Sequence, residues 1–86
     1  MDALNFHYDD GHGWLKVPLS TLAQFGLQCA DFSSYSYRNK DCIYLEEDCD
    51  ATKFLAIAGP TGAGRIIEIS DGASSFIRRM ARNVTA

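Results

Sequence analysis

The fold of this chain is decided by residues 4–17, which read LNFHYDDGHGWLKV. Apolar and polar residues alternate at 4–8, and this period of two predicts a β-strand. The DDGHG segment at 9–13 predicts a turn, because an Asp-Gly pair adopts positive φ easily. A second short strand is expected at 14–17, so the whole stretch predicts an antiparallel hairpin.

Four further elements are expected after the hairpin. Pro18 ends the second strand, and the apolar spacing after it is typical of a helix of about two turns that ends near Gly26. The CIYLE segment at 42–46 predicts a strand, and the RIIEI segment at 65–69 predicts another. Between these strands a helix is expected at 51–58, and either Asp48 or Asp50 can cap it.

Two segments leave alternatives open. The SSYSY segment at 33–37 fits either a strand or an extended loop that carries tyrosines, and residues 74–80 fit either one helical turn or a strand-like tail. Residues 59–64 predict a flexible loop, and residues 82–86 a frayed end. The order of elements predicts a single α+β domain over residues 1–86, with one mainly antiparallel sheet of about four strands and two short helices on one face.

Composition excludes several classes of protein. The chain has 86 residues and a formal charge of -3, which argues against a general nucleic-acid binder. No apolar run approaches the ~20 residues of a membrane helix. The first residues do not read as a signal peptide, so we expect a cytoplasmic protein whose three cysteines are free thiols.

Charge is distributed unevenly along the chain. Residues 1–50 carry nine acidic and three basic side chains, a balance of -6, whereas residues 51–86 have a balance of +3. Two distributions of charge over the folded surface are consistent with this asymmetry. Either the fold has one acidic and one basic face, or the two halves fold together and the charges mix.

The acidic run at 46–50, EEDCD, is the most informative candidate site. Capping a helix needs one or two acids, and here there are four. Nearby aromatic side chains and a histidine supply rigid contact groups of the kind common at protein interfaces. The sequence therefore predicts a partner-binding surface that consists of Asp9, Asp10, His12, Trp14, Tyr35, Tyr37, Glu46, Glu47, Asp48 and Asp50.

A metal-dependent enzyme is the less favoured alternative. His7, Asp9, Asp10 and His12 lie close together and could bind zinc with a cysteine from elsewhere in the fold. Their spacing fits no standard motif, and a hairpin turn with surface histidines explains them as well. The acidic neighbours of Cys49 disfavour its thiolate, which is the nucleophilic form. We therefore expect no enzymatic activity, no metal and no cofactor.

Several segments carry a resemblance to a known family. They are FH at 6–7, GHGWL at 11–15, VP at 17–18, SYSY at 34–37, YLEEDCDA at 44–51 and SFIR at 75–78. They resemble a family of small proteins encoded by phages, plasmids and other mobile elements, and the size and acidity are similar to those of anti-CRISPR proteins. The resemblance implies a location in the cytoplasm of a bacterial host cell, and it implies no catalytic residues.

The function implied by this resemblance is inhibition by binding. An acidic surface could occupy the positively charged nucleic-acid channel of a CRISPR effector complex and block DNA binding. The alternative is a regulatory protein-binding module that acts in another host or phage system. In either case the expected partner is a protein, not nucleic acid or a membrane, and the chain is expected to be a monomer or a homodimer.

Overall fold

The predicted hairpin is the centre of a computed structural model, which describes residues 3–84 except for the side chains at 60–63. Strand β1 covers Leu4–Tyr8 and strand β2 covers Gly13–Pro18. They pair antiparallel, with Phe6 opposite Leu15 and His7 opposite Trp14. The alternation of side chains thus places Phe6 and Leu15 on one face of the sheet, and His7 and Trp14 on the other.

Within the described residues the sheet has six strands in the order β5-β1-β2-β4-β3-β6, and the expectation of about four strands was wrong. The other four strands are β3 Tyr37–Arg38, β4 Cys42–Glu46, β5 Ile66–Ser70 and β6 Ala81–Arg82. The two strands missed by the sequence pattern, β3 and β6, have only two residues each, too few to show a period. The sheet is mixed, because β5 runs parallel to β1 while the other neighbours are antiparallel.

The helical segments pack on one face of the sheet, and only the second is longer than two turns, so the predicted pair of short helices is confirmed only in part. Helix α1 covers Leu19–Gln24 and helix α2 covers Thr52–Ala63, with the helical path interrupted at Gly59 by a φ of +70°. Burying apolar side chains of the helices against the sheet forms the main core. This core consists of Leu4, Leu15, Val17, Leu22, Phe32, Ile43, Leu45, Ala51, Phe54 and Ala58.

The cap of the second helical segment differs from the prediction. A single π-helical turn, Glu47–Ala51, precedes α2. Neither Asp48 nor Asp50 caps it. Instead the Glu46 carboxylate accepts hydrogen bonds from the N–H groups of Asp48 and Cys49, at 3.0 and 3.1 Å. Glu46 can do so because it is the last residue of β4, directly before the turn whose N–H groups need acceptors.

The opposite face of the sheet is covered by the C-terminal part of the chain. A 3₁₀ turn, Phe76–Arg79, brings Ile77 into a second apolar cluster with Trp14, Tyr37, Cys42 and Tyr44. The chain then forms β6, so the expectation of a frayed end from residue 82 was wrong for the part that the structure describes. Asn83 is buried, and its N–H donates to the Ser36 carbonyl at 2.8 Å. Residues 85–86 lie outside the described residues.

Residues 33–36 form an irregular loop rather than a strand, and only Tyr37 of the SSYSY segment joins the sheet. The loop is anchored by the buried Asp50 carboxylate, which accepts hydrogen bonds from Ser33 N–H, Ser33 Oγ and Ser36 Oγ. Ser36 Oγ in turn accepts from Glu46 N–H at 3.0 Å. These contacts fix the loop against the end of β4.

Candidate functional site

A groove opens on the sheet face opposite the helices, and we call it the aromatic groove. Its volume is about 320 Å³. Strands β2, β3, β4 and β6 contribute to it, together with the β1–β2 turn, the 33–36 loop, the π-helical turn and the 3₁₀ turn. The lining residues are His12, Trp14, Tyr35, Tyr37, Glu46, Asp48, Cys49, Arg78 and Arg82.

Two aromatic rings pack together at the base of the groove. Trp14 on β2 is 2% exposed and Tyr37 on β3 is 8% exposed, so both are held mainly by the fold. Their ring centroids lie 6.2 Å apart at an interplanar angle of 75°, which is an edge-to-face contact. His12, in the hairpin turn, lies beside Trp14 at 6.1 Å between centroids. The base is therefore rigid and apolar.

Arg78 covers the Trp14 ring and is held there by an ion pair. Its guanidinium carbon lies 5.5 Å from the Trp14 centroid, and its Nε and Nη2 donate to the two Asp9 oxygens at 2.6 and 2.8 Å. Asp9 also accepts from the N–H groups of Gly11, His12 and Ser75. The Arg78 guanidinium, with these N–H groups, holds the pKa of the Asp9 carboxyl far below its usual range.

Arg82 covers the second ring in the same way. Its guanidinium carbon lies 5.2 Å from the Tyr37 centroid, and Nη1 donates to the Ser34 carbonyl at 3.1 Å. Unlike Arg78, it forms no salt bridge with a carboxylate among residues 3–84. Its contacts within the described residues are thus the aromatic face and a backbone carbonyl, and its charge is otherwise exposed to solvent.

The rim of the groove is formed by the π-helical turn. Asp48 is exposed, and within the described part of the chain its carboxylate makes no hydrogen bond or salt bridge, whereas Glu46 uses one oxygen for capping. Cys49 is exposed as well. Desolvation, together with the carboxylates of Glu46, Asp50 and Asp48, raises the pKa of its thiol, so the thiol is protonated near neutral pH. This rim provides acceptors and no activated nucleophile.

The structure brings six of the ten predicted partner-binding residues together. His12, Trp14, Tyr35, Tyr37, Glu46 and Asp48 all line the groove. Asp10 and Glu47 are exposed but lie outside the lining. Asp9 and Asp50 are buried, at 8% and 4% exposure, and their carboxylates are engaged by internal donors. These two acids stabilise the fold around the groove, and a partner cannot reach them without displacing those donors.

Sequence reasoning missed Arg78, Arg82 and Cys49 as residues of the groove. The two arginines come from the basic C-terminal half and lie on the same surface as Glu46 and Asp48. The groove therefore carries acidic and basic side chains together. This is the second of the two arrangements considered from the sequence, in which the charges of the two halves mix. The opposite net charges of the two halves of the chain were the sequence signal that could have indicated these residues. Net charge does not show which side chains come into contact.

The histidines considered as metal ligands are separated in the fold. His7 Nδ1 lies 3.1 Å from Asp71 Oδ2, and Ser75 Oγ donates to the same oxygen at 2.7 Å. His12 instead faces the groove. Over residues 3–84, no three side chains of His, Cys, Asp or Glu are arranged to hold a metal ion.

Comparisons with known proteins give no relative. The chain matches no family model, no curated protein and no solved structure. In the described part of the chain, no helix has the length and apolar character needed to cross a membrane. The resemblance to proteins of mobile elements stays a prediction.

Proposed function

We propose that this protein is a non-enzymatic binding protein that takes a basic segment of a protein partner into the aromatic groove. The observation that carries this proposal is the composition of the groove. A rigid base of Trp14 and Tyr37 lies beside an exposed aromatic side chain, Tyr35, and beside carboxylate oxygens of Glu46 and Asp48 that no basic side chain of the described residues engages.

The size of the groove suits a short segment. Its volume of about 320 Å³ is at the lower end of the about 300–1,000 Å³ typical of ligand sites. Tyr35 is 64% exposed, so its ring has a free face to pack against an incoming side chain. Tyrosine loses little conformational entropy on binding and contributes a large contact area, which is why it is common at interfaces.

The charges favour a basic segment over an acidic one. Arg78 is already neutralised by Asp9, so the charges available to a ligand are those of Arg82, Asp48 and part of Glu46. An arginine of the partner could stack on Tyr35 and pair with Asp48 at the same time. A guanidinium group suits this arrangement because it is planar, so it can stack on an aromatic ring while its N–H groups donate to a carboxylate.

The partner that we propose first is a CRISPR effector complex, as the resemblance to anti-CRISPR proteins implies. Such complexes present basic side chains along the channel that holds nucleic acid. The groove also fits the alternative, a regulatory module for another basic partner. The mixed charge of the groove favours recognition of particular side chains rather than general mimicry of DNA, because Arg82 would repel a uniformly basic surface.

Phage plaquing on CRISPR-immune bacteria, with and without expression of this chain, separates the two alternatives. Restored plaquing against one CRISPR type supports an inhibitor and identifies the effector to purify. Failure to restore plaquing against any type, with soluble protein confirmed, contradicts the CRISPR target. In that case, capture of partners with the wild-type chain and with a groove variant becomes the way to find the other partner.

The groove itself is tested by charge reversal with a matched control. Asp48→Lys is expected to weaken binding to the identified effector at least tenfold, because it places a cation where the partner's cation should lie. Asp41→Lys makes the same charge change at another exposed acid, outside the groove, and should change affinity less than twofold. Equal effects of the two variants would contradict the groove as the binding site.

A further inference from the structure

One edge of the sheet is open and apolar. Strand β5 pairs with β1 on one side, and no strand among residues 3–84 pairs with its other side. Ile66 and Ile67 are 42% and 38% exposed, which is high for isoleucines in a strand. The only charged residue within the strand is Glu68. Apart from Glu68, this five-residue edge lacks the features that normally prevent pairing with another chain.

The opposite edge of the sheet differs in every respect. Strand β6 has two residues, and one of them is an arginine whose side chain lies over Tyr37. A very short and charged edge is a common way to block strand addition. Pairing with a further strand is therefore expected at β5 rather than at β6.

The direction of the free backbone groups at β5 follows from its pairing with β1. The Arg65 carbonyl accepts from Leu4 N–H at 2.8 Å, and Asp71 N–H donates to the Tyr8 carbonyl at 2.8 Å. Backbone groups alternate in direction along a strand, so odd-numbered residues here point toward β1. The N–H and C=O groups of Ile66, Glu68 and Ser70 therefore point toward the open edge.

We propose that a second copy of this chain pairs with β5 in antiparallel orientation, across a two-fold axis at Ile67. In an antiparallel pair, side chains that are opposite each other lie on the same face of the sheet. Successive residues of one strand lie on opposite faces, so a two-fold axis normal to the sheet has to pass through a residue position and not between two residues. An axis at Glu68 would place the two Glu68 carboxylates directly opposite each other. An axis at Ile67 avoids this repulsion and pairs Ile66 of each copy with Glu68 of the other, using their outward backbone groups.

The side chains around this axis support the same register. Ile67 would face its own copy as a non-hydrogen-bonded pair, the type in which side chains approach most closely. Ile69 lies on the same face of the strand as Ile67, and β1 places His7 beside Ile69. The exposed Phe76 ring packs on His7 at 5.5 Å between centroids, so it extends this apolar surface. Seven large apolar residues are exposed in the part of the chain that the structure describes. Four of them lie on or beside β5, namely Tyr8, Ile66, Ile67 and Phe76.

The interface is short, and the dimer is expected to be weak. A pair of five-residue strands buries less than the about 1,200–2,000 Å² of a standard stable interface, so we expect a dissociation constant on the order of 10–100 μM. The groove lies on β2, β4, β3 and β6, which are separated from β5 by β1, so pairing at the free side of β5 leaves it open. This inference does not depend on the proposed function.

Sedimentation velocity of the full chain, from about 1 μM to 1 mM, tests the dimer. The wild-type chain is expected to pass from monomer to dimer within this range. Glu68→Pro removes an N–H that points to the open edge while keeping the hydrogen bonds to β1, and should weaken the dimer at least tenfold. Ile67→Lys opposes two cations at the axis and should do the same. Circular dichroism and a thermal melt check that each variant is folded.

Val84→Lys is the matched control, because Val84 is 57% exposed and follows β6, the last strand at the other edge. It should leave the dimer unchanged. A wild-type chain that stays monomeric up to 1 mM overturns the proposal. So does a dimer that survives both β5 variants, or one that Val84→Lys weakens as much as they do, because the contact would then lie elsewhere.

Discussion

Replacing Asp50 with alanine should destabilise the chain more than any other acidic substitution in the 46–50 run. The Asp50 carboxylate is 4% exposed and accepts from Ser33 N–H, Ser33 Oγ and Ser36 Oγ. The Ser33 hydroxyl can turn to water, but the Ser33 N–H and the fully buried Ser36 hydroxyl would lose their acceptor. Each stranded donor costs about 1–3 kcal/mol, so the expected loss for the two is about 2–6 kcal/mol.

This loss is a large part of the total stability. A chain of this size is stable by about 4–13 kcal/mol, so Asp50→Ala could leave little margin. Urea unfolding followed by tryptophan fluorescence measures the difference, because Trp14 is buried in the wild-type fold. All three donors bind the Oδ2 atom, so Asp50→Asn can keep an acceptor oxygen there and should cost less than Asp50→Ala.

Asp48→Ala is the control, because Asp48 is exposed and its side chain makes no hydrogen bond within the described residues. Its effect should stay within about 0.5 kcal/mol. If Asp50→Ala costs no more than Asp48→Ala, the assignment of Asp50 as the anchor of the 33–36 loop is refuted. The loop carries Tyr35, so loss of the anchor should also weaken partner binding at temperatures where the chain is folded.

Three further predictions test other contacts. The pKa of Asp9 is lower in the folded than in the unfolded chain, so stability should fall as pH drops below about 4. Asp9→Asn should flatten that fall between pH 5 and 2. Gly13→Ala would place its Cβ in a clash with the edge of the Phe6 ring. It should cost about 1–3 kcal/mol by urea unfolding, and less when Phe6→Leu accompanies it. The thiol pKa of Cys49 is raised, so the rate of its reaction with iodoacetamide should keep rising with pH up to and beyond pH 9. Cys49 lines the groove, so a bound partner should slow that reaction, and mass spectrometry measures both effects.

The local elements of this fold could be predicted from sequence. The β1–β2 hairpin, β4 and α1 each depend on alternation, turn residues or helix-ending glycine within a short window. Each of these signals is carried by neighbouring residues, so no knowledge of the rest of the chain is needed. The parallel pairing of β5 and the two-residue strands β3 and β6 depend on distant partners, and local patterns do not contain them.

The acidic run shows why the site could be predicted only in part. Its four acids look equivalent in sequence, yet Glu46 caps a turn, Glu47 is exposed, Asp48 lines the groove and Asp50 is buried. The donors that hold Asp50 lie as far as 17 residues away. Arg78 likewise enters the groove because Asp9, 69 residues earlier, binds it. The composition of the acidic run indicates that a binding surface is nearby. Which acid binds, caps or is buried is decided by contacts with residues far away in the sequence.

The position of β5 also predicts the order in which the strands assemble during folding. Its partner β1 is the first strand of the chain, so their pairing closes the longest loop of any two neighbouring strands, whereas β1 and β2 meet across a short turn. Longer loops cost more entropy and close more slowly. The hairpin and β4 should therefore assemble first, and β5 should dock last and detach most readily. In hydrogen exchange, the amides of Ile67 and Ile69, which point toward β1, should then exchange before those that join β2 to β4.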